Sequence, residues 1–172
     1  MGASMMHRLV DVKEKDVDRW SNFTAQLQGL LNAAITADGA SKGNVQLFNP
    51  YLDGLQIVAY HGFDKPFLQQ FGVVRWDEPT ACGRAYRFGL RVVIPDIGVD
   101  RFYAPYLSIA QASGYRAVQS TPIIASGGSV IGVLSTHFSH THDWSETAQR
   151  ALDHSASKVA ASVSELVQPF AV

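Results

Sequence analysis

Hydrophobic residues recur at helical spacing near both ends of the chain and at strand spacing between them. From Lys13 to Asp38, the positions Val17, Trp20, Thr24, Leu27, Leu31 and Ala34 follow a heptad step with one polar member, widened by Phe23 and Leu30. From Trp144 to Gln168, a second seam runs through Leu152, Ala156, Val159, Val163 and Leu166. The spacing predicts a long helix in each segment. Asp143 followed by Glu146 is an N-cap signal for the second helix, and Pro169 ends it. Two arrangements satisfy these stripes. Both can pack on the domain's own sheet, or part of both can form a bundle with a second copy. The second reading places Val17, Trp20, Leu27, Leu31, Leu152, Val159, Val163 and Leu166 at a homodimer interface.

Between the helices the period shortens. Asn44–Asn49 and Leu55–Tyr60 are short apolar runs divided by Pro50-Tyr51-Leu52-Asp53-Gly54, whose Asp-Gly pair signals a hairpin. Asp64, with Pro66 two residues on, predicts a short capped helix to Phe71. A second short helix is expected over Ala81–Phe88, a brief strand over Arg91–Ile94, and a helix over Ala104–Ser113 ended by Gly114. Arg116–Ala125 reads as a strand with Pro122 at an edge or bulge, Gly127-Gly128 as a tight turn, and Ser129–Phe138 as the most apolar strand. This order predicts a single α+β domain over 13–168 behind a tail at 1–12. Its parts are a helix at 13–38, a sheet-and-pocket region at 43–139 and a helix at 144–168.

Charge and composition narrow the classes. The 14 Lys and Arg against 15 Asp and Glu leave a net charge of −1, and basic stretches such as Lys13-Glu14-Lys15-Asp16 carry acids too. Nucleic acid is therefore not an expected partner, since phosphate binding needs clustered cations. No apolar run approaches a membrane span and the N-terminus has no signal-peptide core, so no membrane partner and a cytoplasmic location are expected. Cys82 is the single cysteine, which excludes an intramolecular disulfide and a CxxC redox pair.

Several segments, in order, resemble the GAF domain family. They are Gly43–Phe48, Leu55–Phe63, Ala81-Cys82-Gly83-Arg84-Ala85, Val92–Asp96, Gly114–Pro122 and Gly132–Phe138, and the resemblance covers about residues 15–168. It is strongest to GAF domains that precede kinase or other output modules in bacterial signalling proteins. The resemblance implies a six-stranded antiparallel, PAS-like sheet, terminal helices on one face, and a small-molecule pocket under short helices on the other. It also implies dimerisation through the terminal helices, a small ligand of unknown identity, and a kinase or other output domain as partner. No output module lies in this chain, which fits an excised sensor domain or a stand-alone regulator.

Subgroups of the family differ in their motifs. Asn44 lacks a following Lys, and Asp77-Glu78 falls before the third strand expected from the sequence, so the cyclic-nucleotide signature is missing. Tyr106–Val118 and Gly132–His137 are similar to the pocket helix and last strand of phytochrome-type members. That similarity implies pocket-facing roles for Tyr106, Ile109 or Ala110, Val118, Ser120, Ser135 and His137, with Cys82 and Phe102 as further candidates. Those members hold a bilin through a Cys where this chain has Pro105, so covalent attachment there is excluded and no cofactor is expected. Free methionine-(R)-sulfoxide reductases share an element like Ala81–Ala85. Their attacking Cys lies in a loop that here reads Asp100–Pro105, without a thiol, and a resolving thiol is absent as well. An enzyme using Cys82 is thus the lesser alternative, as is a ligand-free dimerisation module.

Other constellations have plainer readings. His137, His140 and His142 alternate faces in an extended strand, so three metal ligands would need a sharp turn after Phe138, and no metal site is expected. Arg84, Arg87, Arg101 and Arg116 could meet an anionic group, or pair with Asp96 or Asp100. Ser120, His137 and Asp96 can be drawn as a triad, but nothing puts Ser120 on a nucleophile elbow.

Overall fold

A computed structural model describes residues 14–167, with side chains from Val17 to Leu166. The tail expected at 1–12 and Pro169 lie outside the described residues. The long N-terminal periodicity forms α1 (Glu14–Asp38). The Asp-Gly hairpin follows as β1 (Lys42–Asn49) and β2 (Gly54–His61). Asp53, at φ 48°, takes the left-handed turn position. Gly54 answers a different need, because a Cβ there would lie 2.8 Å from the Val74 carbonyl oxygen.

That carbonyl belongs to β3 (Val73–Arg75), a three-residue strand without enough length to show a period in the sequence. It extends the sheet beyond β2 and is preceded by α2 (Lys65–Phe71). The Asp64 carboxylate accepts from the Phe67 N–H and caps α2 as its position predicts. Then come α3 (Ala81–Phe88), β4 (Val92–Ile94), a 3-10 turn at Ala104–Tyr106 and α4 (Leu107–Ala112). The chain closes with β5 (Ala117–Ile124), β6 (Val130–Phe138) and α5 (Glu146–Val167). Pro122 sits past the end of β4, where one side of β5 has lost its neighbour and no ladder bond is asked of the missing N–H. The cap of α5 differs from expectation. Ser145, not Asp143, accepts from the Ala148 N–H, which starts the helix at Glu146.

The six strands form one antiparallel sheet in the order β3-β2-β1-β6-β5-β4. β1 and β6, far apart in sequence, are central neighbours. Gly132 permits their approach, since a Cβ there would meet the Gln46 carbonyl oxygen at 2.2 Å.

The alternation of side chains divides the sheet into two faces. On one, α1 and α5 cover Val45, Leu134, Phe138 and Trp144 with Phe23, Leu27, Leu31, Leu152, Ala156 and Val159. This corrects part of the dimer assignment. Leu27, Leu31, Leu152 and Val159 are almost wholly buried within the one chain, because the sheet needs an apolar cover and the two seams supply it. Val163 and Leu166 are partly buried against the same core, whereas Val17 and Trp20 are more than half exposed.

The same face carries a polar relay. The Asp38 carboxylate, at the end of α1, accepts from Thr136 Oγ1 at 2.6 Å and Trp144 Nε1 at 3.1 Å. Thr136 accepts from Gln119 Nε2 at 3.0 Å, and Gln119 Oε1 accepts from Thr121 at 2.7 Å. Arg91 donates to Thr121 at 2.8 Å, to the Gln149 carbonyl at 2.8 Å and to the Asp153 carboxylate. The last residue of α1 is thereby joined to α5 through β6 and β5.

Candidate functional site

On the opposite face, period two brings polar residues of the three central strands together. Asn44 of β1 pairs with Ser135 of β6, Ser135 pairs with Ser120 of β5, and Val118 pairs with His137. Asn44, Gln46, Ser120, Ser135 and His137 therefore share one floor, and all are almost fully buried. The short helices place an aromatic shell over it. Phe67 and Phe71 come from α2, Tyr103 from the turn before α4, and Tyr115 from the strand entry. Tyr103 and Tyr115 join hydroxyls at 2.9 Å. Thr80 and Cys82 complete the wall from the start of α3.

These groups line a small cavity of about 20 Å³, room for a water-sized molecule. Asn44 Oδ1, Gln46 Oε1 and His137 Nδ1, on three of its lining residues, are buried without a hydrogen-bond partner. Buried polar atoms are nearly always paired, and each unmade bond costs about 1–3 kcal/mol. Three of the seven such atoms among the described residues belong to side chains of this one lining.

The electrostatics favour neutral species. Burial, helped by the charge of Lys42, pushes the His137 imidazole down to about 3, so the ring is uncharged at neutral pH. Edge-on contacts with the rings of Phe63 and Tyr115, at 4.9 and 4.7 Å, fix its plane. Burial likewise pushes the Cys82 thiol up, against the Thr80 hydroxyl 3.3 Å from its sulfur. The thiol stays protonated, the opposite of what a nucleophile needs. The hydroxyls of Tyr103 and Tyr115 are pushed up as well, mainly by burial.

Five of the expected ligand-facing residues line the cavity: Cys82, Val118, Ser120, Ser135 and His137. Four do not. Tyr106 packs beside the shell, 5.7 Å from Phe71 between ring centres, and its hydroxyl donates to the Glu78 carboxylate at 2.9 Å. Ala110 is wholly buried within the aromatic cluster and Ile109 packs against that cluster. Phe102 is 45% exposed, with the Arg101 and Arg84 guanidinium groups 4.5 and 5.5 Å from its ring centre. It faces away because Asp100 turns the backbone, accepting from the N–H groups of Phe102 and Tyr103, and directs Tyr103 inward instead. Asn44 and Gln46 were missed, although their alternation within the otherwise apolar Asn44–Phe48 run is the signal that marks them.

The rival constellations separate. Arg84 pairs with Asp100 at 3.2 Å and Arg116 with Asp96 at 2.9 Å, while Arg87 lies over Trp76. Ser120 bonds Ser135 at 2.7 Å, far from any triad with Asp96. His142 stacks on Phe138 at 3.6 Å, on the helix-covered side, while His137 faces the cavity. Among the described residues no group of three or more His, Cys, Asp or Glu is arranged to hold a metal ion. Among them, too, no helix is long and apolar enough to cross a membrane.

Comparison with known proteins matches this geometry to a family. The family model of the GAF domain matches residues 18–163. No curated protein sequence is a significant match. Among solved structures, a GAF domain region from Geobacter sulfurreducens superposes with a TM-score of 0.75 at 16% identity, covering 88% of this chain and 99% of that one. A domain assigned to a two-component sensor histidine kinase of Sinorhizobium meliloti gives 0.69 at 15% identity, over 83% and 90%. A free methionine-R-sulfoxide reductase from Neisseria meningitidis, in complex with its substrate, gives 0.67 at 21% identity, over 83% and 78%.

Proposed function

The chain belongs to the GAF domain family, and from that premise we propose that it is a sensing domain of a signalling protein, in which a small molecule taken up where the short helices cover the polar floor biases the packing of the terminal helices. The observation that carries this reading is the polar floor under aromatic rings, with three buried polar atoms on its residues left unpaired. A pocket kept only to fill space would be closed more stably by apolar side chains.

Transmission follows from the alternation of the strands. Ser120 lies between Gln119 and Thr121, and Thr136 between Ser135 and His137. A displacement of the floor shifts the intervening relay residues, which hold Asp38 of α1 and, through Arg91, α5. The ends of these helices, with Val17, Trp20, Val163 and Leu166, would then pass the change to a second copy and to a kinase-like output partner. A structural neighbour assigned to a sensor histidine kinase supports that choice of output. A half-buried Cys82 whose thiol is pushed up, without a second thiol in the chain, argues against sulfoxide reduction, although some structural neighbours are such enzymes.

Native mass spectrometry of the protein isolated from its own host tests the reading. The expected result is a retained small-molecule mass that His137→Phe abolishes. A ligand-free mass, together with a His137→Phe variant more stable than the parent, would leave the cavity a packing defect.

A further inference from the structure

The end of α5 lacks two things that a helix end needs. A helical carbonyl accepts from the N–H four residues on, so the Glu165 carbonyl looks to position 169. Position 169 is proline, which has no N–H in any conformation. The carbonyl therefore needs a donor from outside its own helix. α5 also has no basic residue in its last turn, so the negative end of its dipole has no cation of its own. α1 supplies both. The Arg19 guanidinium donates through Nη2 to the Glu165 carbonyl oxygen at 3.0 Å and to the Leu166 carbonyl oxygen. Arg19 lies one turn before Phe23, which is buried in the core under the two helices, so its arm leaves the face of α1 that already meets the rest of the domain. Packing beside it is thin. Arg19, Glu165 and Leu166 line a groove of about 390 Å³ between the helices, together with Asn22, Gln26 and Ser162. The charged arm thus joins α1 to α5 at a place where the side chains leave room.

We propose that Arg19 and Pro169 form a helix stop in two parts. The proline leaves Glu165 without an N–H, and Arg19 fills the vacancy from α1, so the end of α5 is fixed to α1 and the two move as one body. The joint stands without any ligand. Its use as the exit of a signal rests on the reading of the chain as a sensing domain. Under that reading a shift of α5, relayed from the sheet through Arg91, carries α1 with it at the far end.

Backbone hydrogen exchange, followed residue by residue by NMR in the full chain, tests the joint. Arg19→Met removes the donor and keeps the stem; Pro169→Ala restores an N–H at position 169. In the parent, Arg19→Met is expected to speed exchange at Glu165, Leu166 and Val167 by about fivefold, the loss of one net hydrogen bond. Exchange at Leu152 and Ala156 is expected to stay as it was. With Pro169→Ala already in place, Arg19→Met is expected to change the last turn by less than about twofold, because the restored N–H meets the Glu165 carbonyl. That rescue sets the stop apart from a general contribution of Arg19 to folding, which residue 169 would not alter. A protein that retains no small molecule loses the sensing reading and still shows the rescue. Equal effects of Arg19→Met in the two backgrounds, or no effect in the parent, overturn the helix stop.

Discussion

At the scale of single residues, His137 makes the fold sensitive to mild acid. Its folded-state value, about 3, lies below the ordinary 6.5. The unfolded chain therefore takes up a proton that the native state declines. The stabilisation is complete above pH 6.5 and is lost as pH falls toward 3, with a slope approaching about 1.4 kcal/mol per pH unit. Asp96 is held below the usual carboxylate range, first by its hydrogen bond from Arg116. It contributes in the same sense, but only in a lower window, below its ordinary 3.8. Urea unfolding at about pH 7.5 and about pH 5 thus isolates the imidazole. The parent is expected to lose roughly 2 kcal/mol across that interval beyond any loss in His137→Phe. Equal losses in the two proteins would mean that the native ring is protonated. Gly83 is the other single-residue constraint here. A Cβ on it would come within 2.3 Å of the Glu78 carbonyl oxygen, so the start of α3 can close on the loop that carries Glu78 only without a side chain.

At the scale of elements, the heptad seams show both what a period tells and where it stops. The period located α1 and α5 to within a residue or two, because a long apolar stripe at 3.6 spacing has one reading. It could not say which surface the stripe meets. Leu27 and Val159 meet the chain's own sheet, whereas Trp20, on the same seam, reaches past it and is 54% exposed. β3 was not legible, since three residues carry no period and its pairing with β2 is a tertiary fact. The site was half legible for the same reason. Strand residues such as Ser120, Ser135 and His137 inherit their direction from alternation, but the rings above them come from short segments whose aim depends on a turn such as that at Asp100. The seam assignment makes a sharp contrast. Val159→Glu buries an unpaired carboxylate and is expected to cost about 3 kcal/mol or more, with loss of cooperative unfolding. Trp20→Glu is expected to keep the fold and to shift light scattering from twice the 18.7 kDa chain mass toward that mass. A parent already scattering as one chain would remove the second copy from the proposed mechanism.

At the scale of the whole molecule, the question is whether the two faces of the sheet are mechanically one. Asp38 and Arg91 do not touch each other: Thr136 and Gln119 lie between them, since Arg91 donates to Gln119 Oε1 at 3.3 Å as well as to Thr121. Independent sites at such a remove combine additively to within about 0.3–0.5 kcal/mol. The relay predicts otherwise. Asp38→Ala takes the acceptor from the Thr136 O–H and the Trp144 N–H, and Arg91→Met removes the donor shared by Gln119, Thr121 and the Gln149 carbonyl. Each change lets Gln119 swing toward the end that remains, so the second substitution removes a bond the first has already slackened. The coupling expected from urea unfolding of the two singles and the double is about 1 kcal/mol, within the range for residues sharing a network. It should vanish in a Gln119→Leu background, where the middle bond is absent at the outset. Full additivity in the parent background would show that the terminal helices respond to the sheet separately, and a pocket beneath Ser120 and Ser135 would then have no common lever on both.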